Sequence, residues 1–262
     1  MPLTEFQAEL ARILAAQRSP DSYLAGGAAL HFEPNGIRYS NDLDYFHDSV
    51  ERVASAFEDD LKALETAGYT VAPEMKQPGY IRALVSREEG STKVEWAHDS
   101  SWRFMPTLED ATVGWRLHPV DLAINKLLAL VGRDEPRDFV DTLHLHENLL
   151  PLGAMIWAAS GKDPGFTPLS LLSLLKRRGR IRPEDIRRLR LTQAFDVVEV
   201  KSRWLAILGS ADQFVRERPP DDLGCLYYSS SKAAFVEPEP GERVLRHFGR
   251  PGGLLPTVLV CE

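Results

Sequence analysis

The segment LAGGAAL spans residues 24–30, and the segment RYSNDLDYF follows it at residues 38–46. In the first segment a short apolar, strand-like piece reaches Gly26-Gly27 and then continues as a helical piece. Backbone N–H groups at such a helix start, with no β-carbon to block them, form a site for an anion such as phosphate. The alternative interpretation of the glycine pair is an ordinary tight turn.

The second segment carries two carboxylates, Asp42 and Asp44, in a strand-like alternation of polar and apolar residues. Residues i and i+2 of a strand point to the same face, so both carboxylates converge while Leu43 faces the core. Two like charges on one face favour a bound cation, and Mg²⁺ is typically held by one or two carboxylates plus substrate phosphates. The alternative is a solvated surface pair. Together with the glycine turn upstream, the carboxylates predict a metal–nucleotide site.

A third acid is expected on a neighbouring strand, because a two-metal site needs a further ligand for the metal that meets the attacking group. Glu95, within KVEW at residues 93–96, is the best candidate, since its two apolar neighbours point to the opposite face. Asp99, beyond the end of that strand, is the second choice. The alternative for Glu95 is an edge-strand charge paired with Lys93 or Arg82.

The glycine and carboxylate segments resemble the AbiEii/AbiGii-type nucleotidyltransferases, the toxin halves of AbiE-like toxin–antitoxin systems, to which the MenT toxins are related. Residues 121–130, followed by Arg133 and by RDFVD at residues 137–141, are similar to the helical-domain motif of that family. This motif has a lysine before a leucine-rich helix turn, then Arg-Asp and a second Asp. The resemblance covers about residues 20–150.

The resemblance implies an α+β fold, in which a DNA-polymerase-β-like nucleotidyltransferase core with a mixed sheet precedes a helical C-terminal domain. It implies an enzyme that uses two Mg²⁺ ions, or Mn²⁺, to transfer a nucleotide from a nucleoside triphosphate to a hydroxyl. The implied metal ligands are Asp42, Asp44 and Glu95. The implied catalytic residues are these three acids with Lys126, Asp138 and Asp141, and the implied nucleotide-binding residues are Gly26, Gly27, Ser40, Lys126 and Arg133. Ala28 departs from the family, which commonly has Ser or Thr there, so one triphosphate contact is missing.

Lys126 also stands out on physical grounds, because it lies in an otherwise apolar helix and must find an anion there. The triphosphate would supply that anion, and Asp121 or Asp138 is the alternative partner. Lys126 and Arg133 are seven residues apart and share a helix face. Asp138 and the acid three residues later lie side by side on the next helix, where they would position the acceptor or the lysine. Alternatively, Asp138 caps that helix and pairs with the arginine before it.

The pattern along the chain predicts three regions: an α/β core at residues 1–118, a helical domain at 119–218, and C-terminal strands with a loose tail at 219–262. Glycine, proline and serine are frequent in the last region. Apolar spacing predicts helices at 3–18, 49–67, 119–131, 136–149, 168–178, 183–191 and 193–216. Short β-like runs are predicted at 42–46, 69–73, 79–86, 92–97, 224–228 and 233–236.

Composition excludes several classes of protein. Hydrophobic residues make up 44% and charged residues 26%, which is typical of a chain that buries a core. No apolar stretch approaches the roughly 18 residues of a membrane span, and the acidic N-terminal helix is unlike a signal peptide. Two cysteines make neither a disulfide scaffold nor a four-ligand zinc site. We expect a cytoplasmic protein without a membrane partner.

The net charge of −7 argues against a whole-molecule attraction to nucleic acid, but residues 176–190 form a local basic segment. Eight of these fifteen residues are Lys or Arg. The alternative is a solvated helix face. The predicted RNA contacts are Lys176, Arg177, Arg178, Arg180, Arg187 and Arg188.

The resemblance further implies tRNA 3′ ends as the acceptor and an AbiEi-like antitoxin as a partner. Two other functions remain open at the level of the sequence. The same fold could transfer the nucleotide to a small molecule or to a protein hydroxyl. A catalytically degenerate nucleotide-binding module is the other alternative, for which Ala28 is the main argument.

Overall fold

The structure is a computed structural model that describes residues 3–32, 36–178 and 181–256. The chain divides into two compact units. The first contains residues 1–118 together with 190–193 and 251–253, and the second contains the remainder. Arg180, one of the predicted RNA contacts, lies outside the described residues.

The first unit is built on a mixed seven-stranded sheet with the strand order β3-β4-β5-β2-β1-β8-β7. Its strands are β1 (Ser22–Ala25), β2 (Asp42–His47), β3 (Thr70–Gln77), β4 (Tyr80–Arg87), β5 (Gly90–His98), β7 (Leu108–Asp110) and β8 (Gly114–Arg116), with a short β6 (Trp102–Arg103) outside this sheet. Strand β2 is central, because it pairs antiparallel with β1 and parallel with β5. Along β2 buried and half-buried residues alternate, so one face of the sheet packs into the core.

Helices α1 (Glu5–Ala15), α2 (Gly26–Leu30) and α3 (Val50–Thr66) complete the first unit. Helix α1 begins in a capping box between Thr4 and Gln7, and α3 begins at Ser49, whose side chain accepts from Arg52 N–H. Helix α3 ends before Gly68, whose φ of +82° suits a residue without a β-carbon.

A buried ionic network holds the core of the first unit together. Arg18 and Asp60 form an ion pair of 2.5 Å, and neither side chain is exposed. The indole N–H of Trp96 donates to the other oxygen of Asp60 at 2.7 Å, and the Arg18 guanidinium lies 4.5 Å from the ring centre of Tyr45. Because each buried charge has a partner, helix α3 is fixed against the sheet.

The second unit is mainly helical. Its helices are α4 (Pro119–Arg133), α5 (Pro136–Asn148), α6 (Leu152–Lys162), α7 (Pro168–Leu175), α8 (Pro183–Arg187) and α9 (Val197–Glu217). A three-stranded antiparallel sheet follows, with β9 (Cys225–Ser229) between β10 (Ala234–Val236) and β11 (Leu245–Phe248), and β12 (Arg250–Pro251) ends the described elements. Within the part of the chain that the structure describes, no helix is both long and apolar enough to cross a membrane.

Helix α6 lies at the centre of the second unit, where it packs against α4, α9 and β9. Every residue from Leu152 to Ser160 is buried. Backbone N–H groups at the N-terminus of α6 find acceptors in side chains outside the helix: Leu152 N–H donates to Nδ1 of His146, and Ala154 N–H donates to Glu237. No helix was expected here, because a helix that is apolar on all sides shows no amphipathic period.

The predicted helix at 183–191 is shorter in the structure, since α8 ends at Arg187. Residues 190–193 belong to the first unit instead, where Leu191 forms a β-bridge with Arg38. Three hydrogen bonds strengthen this attachment, from Tyr39 N–H to Arg190 O, from Thr192 N–H to Ile37 O, and from the Thr192 hydroxyl to Gly36 O.

Candidate active site

Three carboxylates meet on the half-buried face of the sheet in the first unit. Strands β2 and β5 run parallel in a register that pairs Asp42 with Lys93 and Asp44 with Glu95. The alternation of each strand then points Asp42, Asp44 and Glu95 to one face, while Leu43 is fully buried on the other. One carboxylate oxygen from each acid lies within 4.8 Å of the others, a spacing that suits a shared cation.

Glu95 also has partners on strand β4. Nε of Arg82 lies 2.8 Å from Oε1 of Glu95, so the ion pair considered from the sequence is present beside the carboxylate cluster. Burial, reinforced by the charge and hydrogen bond of Glu95, raises the pKa of Tyr80 to about 12. Glu95 is therefore both a partner of Arg82 and a member of the carboxylate cluster.

Asp99, the second choice for the third acid, lies just after β5, where its backbone N–H donates to His47 O. Among the residues that the structure describes, the acidic group with the spacing of a metal site consists of Asp42, Asp44 and Glu95. The geometry therefore favours Glu95 over Asp99 as the third ligand.

Gly26 provides the space that the Asp44 carboxylate needs. Its φ is +61°, and a β-carbon built on it would lie 1.8 Å from Oδ2 of Asp44 and 2.6 Å from Cγ. No side chain larger than hydrogen fits there without moving Asp44. The glycine turn and the carboxylate pair, which the sequence predicts to share one metal–nucleotide site, are thus in direct contact.

Gly27 provides space for two polar side chains that are almost fully buried. A β-carbon on Gly27 would lie 2.7 Å from Nη2 of Arg38 and 3.1 Å from Oγ of Ser40. The Ser40 hydroxyl donates to the backbone oxygen of Asp42 at 3.0 Å and lies 3.3 Å from Oδ1 of the same residue. Ser40 therefore links the glycine turn to the first carboxylate.

Arg38 received no role from the sequence, although it stands in the motif that drew attention to the site. The signal that could have identified it is its two-residue spacing with Ser40, Asp42 and Asp44. A polar residue at every second position is the pattern of one continuous face.

The donor set fits a hard divalent cation. All three acids offer carboxylate oxygens, which Mg²⁺ prefers over nitrogen or sulfur ligands, and Mn²⁺ shares this preference. The three side chains are half-buried, so they remain accessible to a substrate. Asp42, Asp44 and Glu95 could therefore hold the metal ions that the sequence resemblance implies.

The remaining motif residues form an ion-pair cluster in the second unit, in which Arg133 is exposed and the other three residues are buried. Nζ of Lys126 lies 2.9 Å from Asp141 and 3.3 Å from Asp138, and both acids are fully buried. Arg133 lies 2.6 Å from the second oxygen of Asp138. Lys126 and Arg133 both contact Asp138, as expected for two residues that share a helix face. Asp138 is one of the two partners that the sequence offers for the lysine. Catalytic roles for these residues stay a prediction.

The basic segment is partly engaged by other residues of the second unit. Lys176 pairs with Asp212, Arg187 pairs with Glu184, and Arg178 donates to Val131 O. Arg177 donates to the Ser173 hydroxyl, and Arg188 is exposed. RNA binding by this segment also stays a prediction.

Solved structures with a similar fold include JHP933 from Helicobacter pylori, with a TM-score of 0.50 and 16% identity over 82% of this chain and 95% of that chain. They also include MenT4, a nucleotidyltransferase toxin from Mycobacterium tuberculosis, with a TM-score of 0.52 and 16% identity over 82% of this chain and 83% of that chain. No protein-family model and no curated protein matches the sequence. The predicted fold class is confirmed: the chain has the nucleotidyltransferase fold seen in MenT4.

Proposed function

We propose that the chain is a metal-dependent nucleotidyltransferase, which moves a nucleotide from a nucleoside triphosphate to a hydroxyl acceptor and releases pyrophosphate. The observation that carries this proposal is the contact between the glycine turn and the carboxylate cluster: Gly26 touches Asp44, and Asp44 pairs in register with Glu95. A polyphosphate held at the turn would lie beside three hard oxygen ligands. That juxtaposition suits phosphoryl chemistry, in which the protein contributes mainly position and electrostatics.

Asp42, Asp44 and Glu95 would hold two Mg²⁺ ions, which supply Lewis acidity and lower the pKa of the acceptor hydroxyl. Asp42 is oriented by Ser40, and Asp44 is accommodated by Gly26. The amides at Gly26-Gly27 would bind the triphosphate. In-line attack of the hydroxyl on the α-phosphorus then expels pyrophosphate.

Lys126, Arg133, Asp138 and Asp141 would act as a unit in this reaction. The lysine and arginine would contact the triphosphate or pyrophosphate. The two acids would set the orientation of the lysine and arginine side chains. The support for these roles is the resemblance of the helical motif and the shared ion-pair cluster.

For the acceptor we infer RNA, with tRNA 3′ ends preferred. The support is the concentration of positive charge in residues 176–190 of a chain that is acidic elsewhere. The resemblance to AbiEii/AbiGii-type toxins adds a cytoplasmic toxin role, with an AbiEi-like antitoxin as its partner.

The experiment is a label-transfer screen with Mg²⁺, total tRNA and each α-labelled nucleoside triphosphate in turn. We expect label on RNA with the wild type and none with Asp42→Asn/Asp44→Asn, whose carboxamides keep the shape and lose the charge. Glu95→Gln should also lose transfer, whereas Asp99→Asn, its matched control at the end of the same strand, should retain it.

Each alternative acceptor has its own result in the screen. Label on the protein itself would point to a protein hydroxyl. Binding of the triphosphate without transfer to any acceptor, and without dependence on Mg²⁺, would identify a degenerate nucleotide-binding module. Full transfer by the Asp42→Asn/Asp44→Asn variant, freed of contaminants, would refute the proposed function.

A further inference from the structure

Arg38 is a cation with an unusual position for a charged side chain. Only 3% of its surface is exposed, a degree of burial that is rare for an arginine. Its Nη2 atom lies against Gly27, where a β-carbon would approach it to 2.7 Å. The φ of Gly27 lies outside the left-handed region, so the glycine is needed there for space rather than for backbone conformation.

The backbone that carries Arg38 is secured on its outer side. Residues 36–39 form the β-bridge and the three hydrogen bonds with residues 190–192 described above, and the Arg190 guanidinium lies 4.7 Å from the ring centre of Tyr39. On the inner side, the Ser40 carbonyl accepts from the Gln7 side chain at 3.2 Å. Arg38 is therefore held in place before any ligand arrives, which reduces the entropy cost of binding.

The chemistry of Arg38 matches the anion that this site must take. A guanidinium presents five N–H donors in a fixed fork that fits phosphate oxygens, and one of the Arg38 nitrogens, Nη1, donates to Tyr39 O. Ala28, the residue after the glycines, has no hydrogen-bonding side chain. Two side chains of the first unit that carry donors, Arg38 and Ser40, lie directly on Gly27.

We propose that Arg38 is a triphosphate-binding residue, whose guanidinium contacts the polyphosphate of the nucleotide at the Gly26-Gly27 turn. Gly27 is then required because it lets the guanidinium approach the turn. This inference rests on the proposed function for its ligand, a nucleoside triphosphate. It goes beyond the proposed function by adding a charged side chain, the Arg38 guanidinium, to the backbone amides of the glycine turn as a polyphosphate ligand.

The test is the direct binding of inorganic tripolyphosphate to the full chain in the absence of metal, by calorimetry. Loss of one charge-assisted contact should weaken binding by about 10- to 100-fold in Arg38→Gln, with Arg38→Lys between that variant and the wild type. Arg103→Gln is the matched control, because Arg103 is also a buried arginine of the first unit and its guanidinium lies on Asp48 instead of on Gly27. The control should bind tripolyphosphate with the affinity of the wild type.

A second variant covers the case in which Arg38→Gln does not fold. Gly27→Ala keeps the charge but displaces the guanidinium, and it should weaken tripolyphosphate binding in the same direction. Wild-type affinity in folded Arg38→Gln, or in Gly27→Ala, would overturn the proposal, as would a wild type that does not bind tripolyphosphate. Because this assay needs no transfer, its outcome is independent of the label-transfer screen that judges the proposed function.

Discussion

The contact between Gly26 and Asp44 makes a substitution at Gly26 a sharp test of the site. In Gly26→Ala the new β-carbon would lie 1.8 Å from Oδ2 of Asp44, and the next two neighbours are also atoms of the Asp44 side chain. An ordinary contact begins near 3.4 Å, so the carboxylate oxygen must move by about 1.6 Å or the turn must open. Either response removes Asp44 from its position opposite Glu95.

The cost to stability and the cost to function can be separated. An alanine in the left-handed region costs about 1–2 kcal/mol in folding free energy. Gly68→Ala is the matched control, because Gly68 has a φ of +82° and a β-carbon added to it would meet no atom within 4 Å. Both variants should lose a similar amount of stability. In addition, Gly26→Ala should lose metal affinity by at least about 10- to 100-fold. That is the loss observed when a metal ligand loses a group that only hydrogen-bonds to it, and here the ligand itself is displaced.

The assay pairs urea unfolding with a Mn²⁺ titration of each folded variant, followed by label transfer. We expect Gly68→Ala to match the wild type in Mn²⁺ affinity and in transfer once its stability is taken into account. Gly26→Ala should be deficient in both. Equal Mn²⁺ affinity in the two variants would show that Asp44 does not ligate the metal and that its contact with Gly26 does not shape a metal site.

Three further predictions concern charges elsewhere in the chain. Burial, aided by the Arg18 charge, lowers the pKa of His47 to about 3, so the unfolded chain takes up a proton below about pH 6.5 that the folded chain does not. When the pH falls from 7 to 5, the free energy of unfolding of the wild type, measured in urea, should therefore decrease by about 2 kcal/mol more than that of His47→Leu. Equal decreases in the two proteins would contradict this prediction. Lys126→Met should cost about 3–5 kcal/mol in folding free energy, because it removes the buried ammonium that Asp138 and Asp141 share. The triple variant Lys126→Met/Asp138→Asn/Asp141→Asn should recover most of that stability, and a single variant as stable as the wild type would count against this prediction. Arg188→Gln should weaken binding to RNA of any sequence and reduce the slope of log affinity against log salt concentration by about 0.7–0.9. An unchanged slope would show that Arg188 does not contact RNA phosphate.

Much of the site could be predicted because its signals are local. The two-residue spacing of Asp42 and Asp44 places both on one strand face, whatever surrounds that strand. The apolar neighbours of Glu95 show its opposite orientation in the same way. The glycine pair marks a turn that the structure places at the junction of β1 and α2. These features depend on the periodicity of one strand or one turn, which a sequence displays directly.

The features that could not be predicted from the sequence depend on contacts between residues that are far apart in the chain. The roles of Gly26 and Gly27 as space for Asp44 and Arg38 follow from tertiary approach, which no local pattern encodes. Helix α6 is buried on all sides, so its sequence lacks the polar stripe that marks an amphipathic helix. Apolar spacing predicts helices at 183–191 and 193–216, yet Leu191 forms a β-bridge with Arg38, about 150 residues earlier.

The proposed function requires Asp42, Asp44 and Glu95 to hold the metal ions of a nucleotidyl transfer reaction. Its most direct test is a crystal structure of the full chain with Mn²⁺ and a non-hydrolysable nucleoside triphosphate, with anomalous data to locate the metal. We expect anomalous density about 2.0–2.3 Å from oxygens of all three carboxylates, with the triphosphate against the Gly26-Gly27 turn. A nucleotide and metal bound elsewhere, with the three carboxylates unliganded, would contradict it.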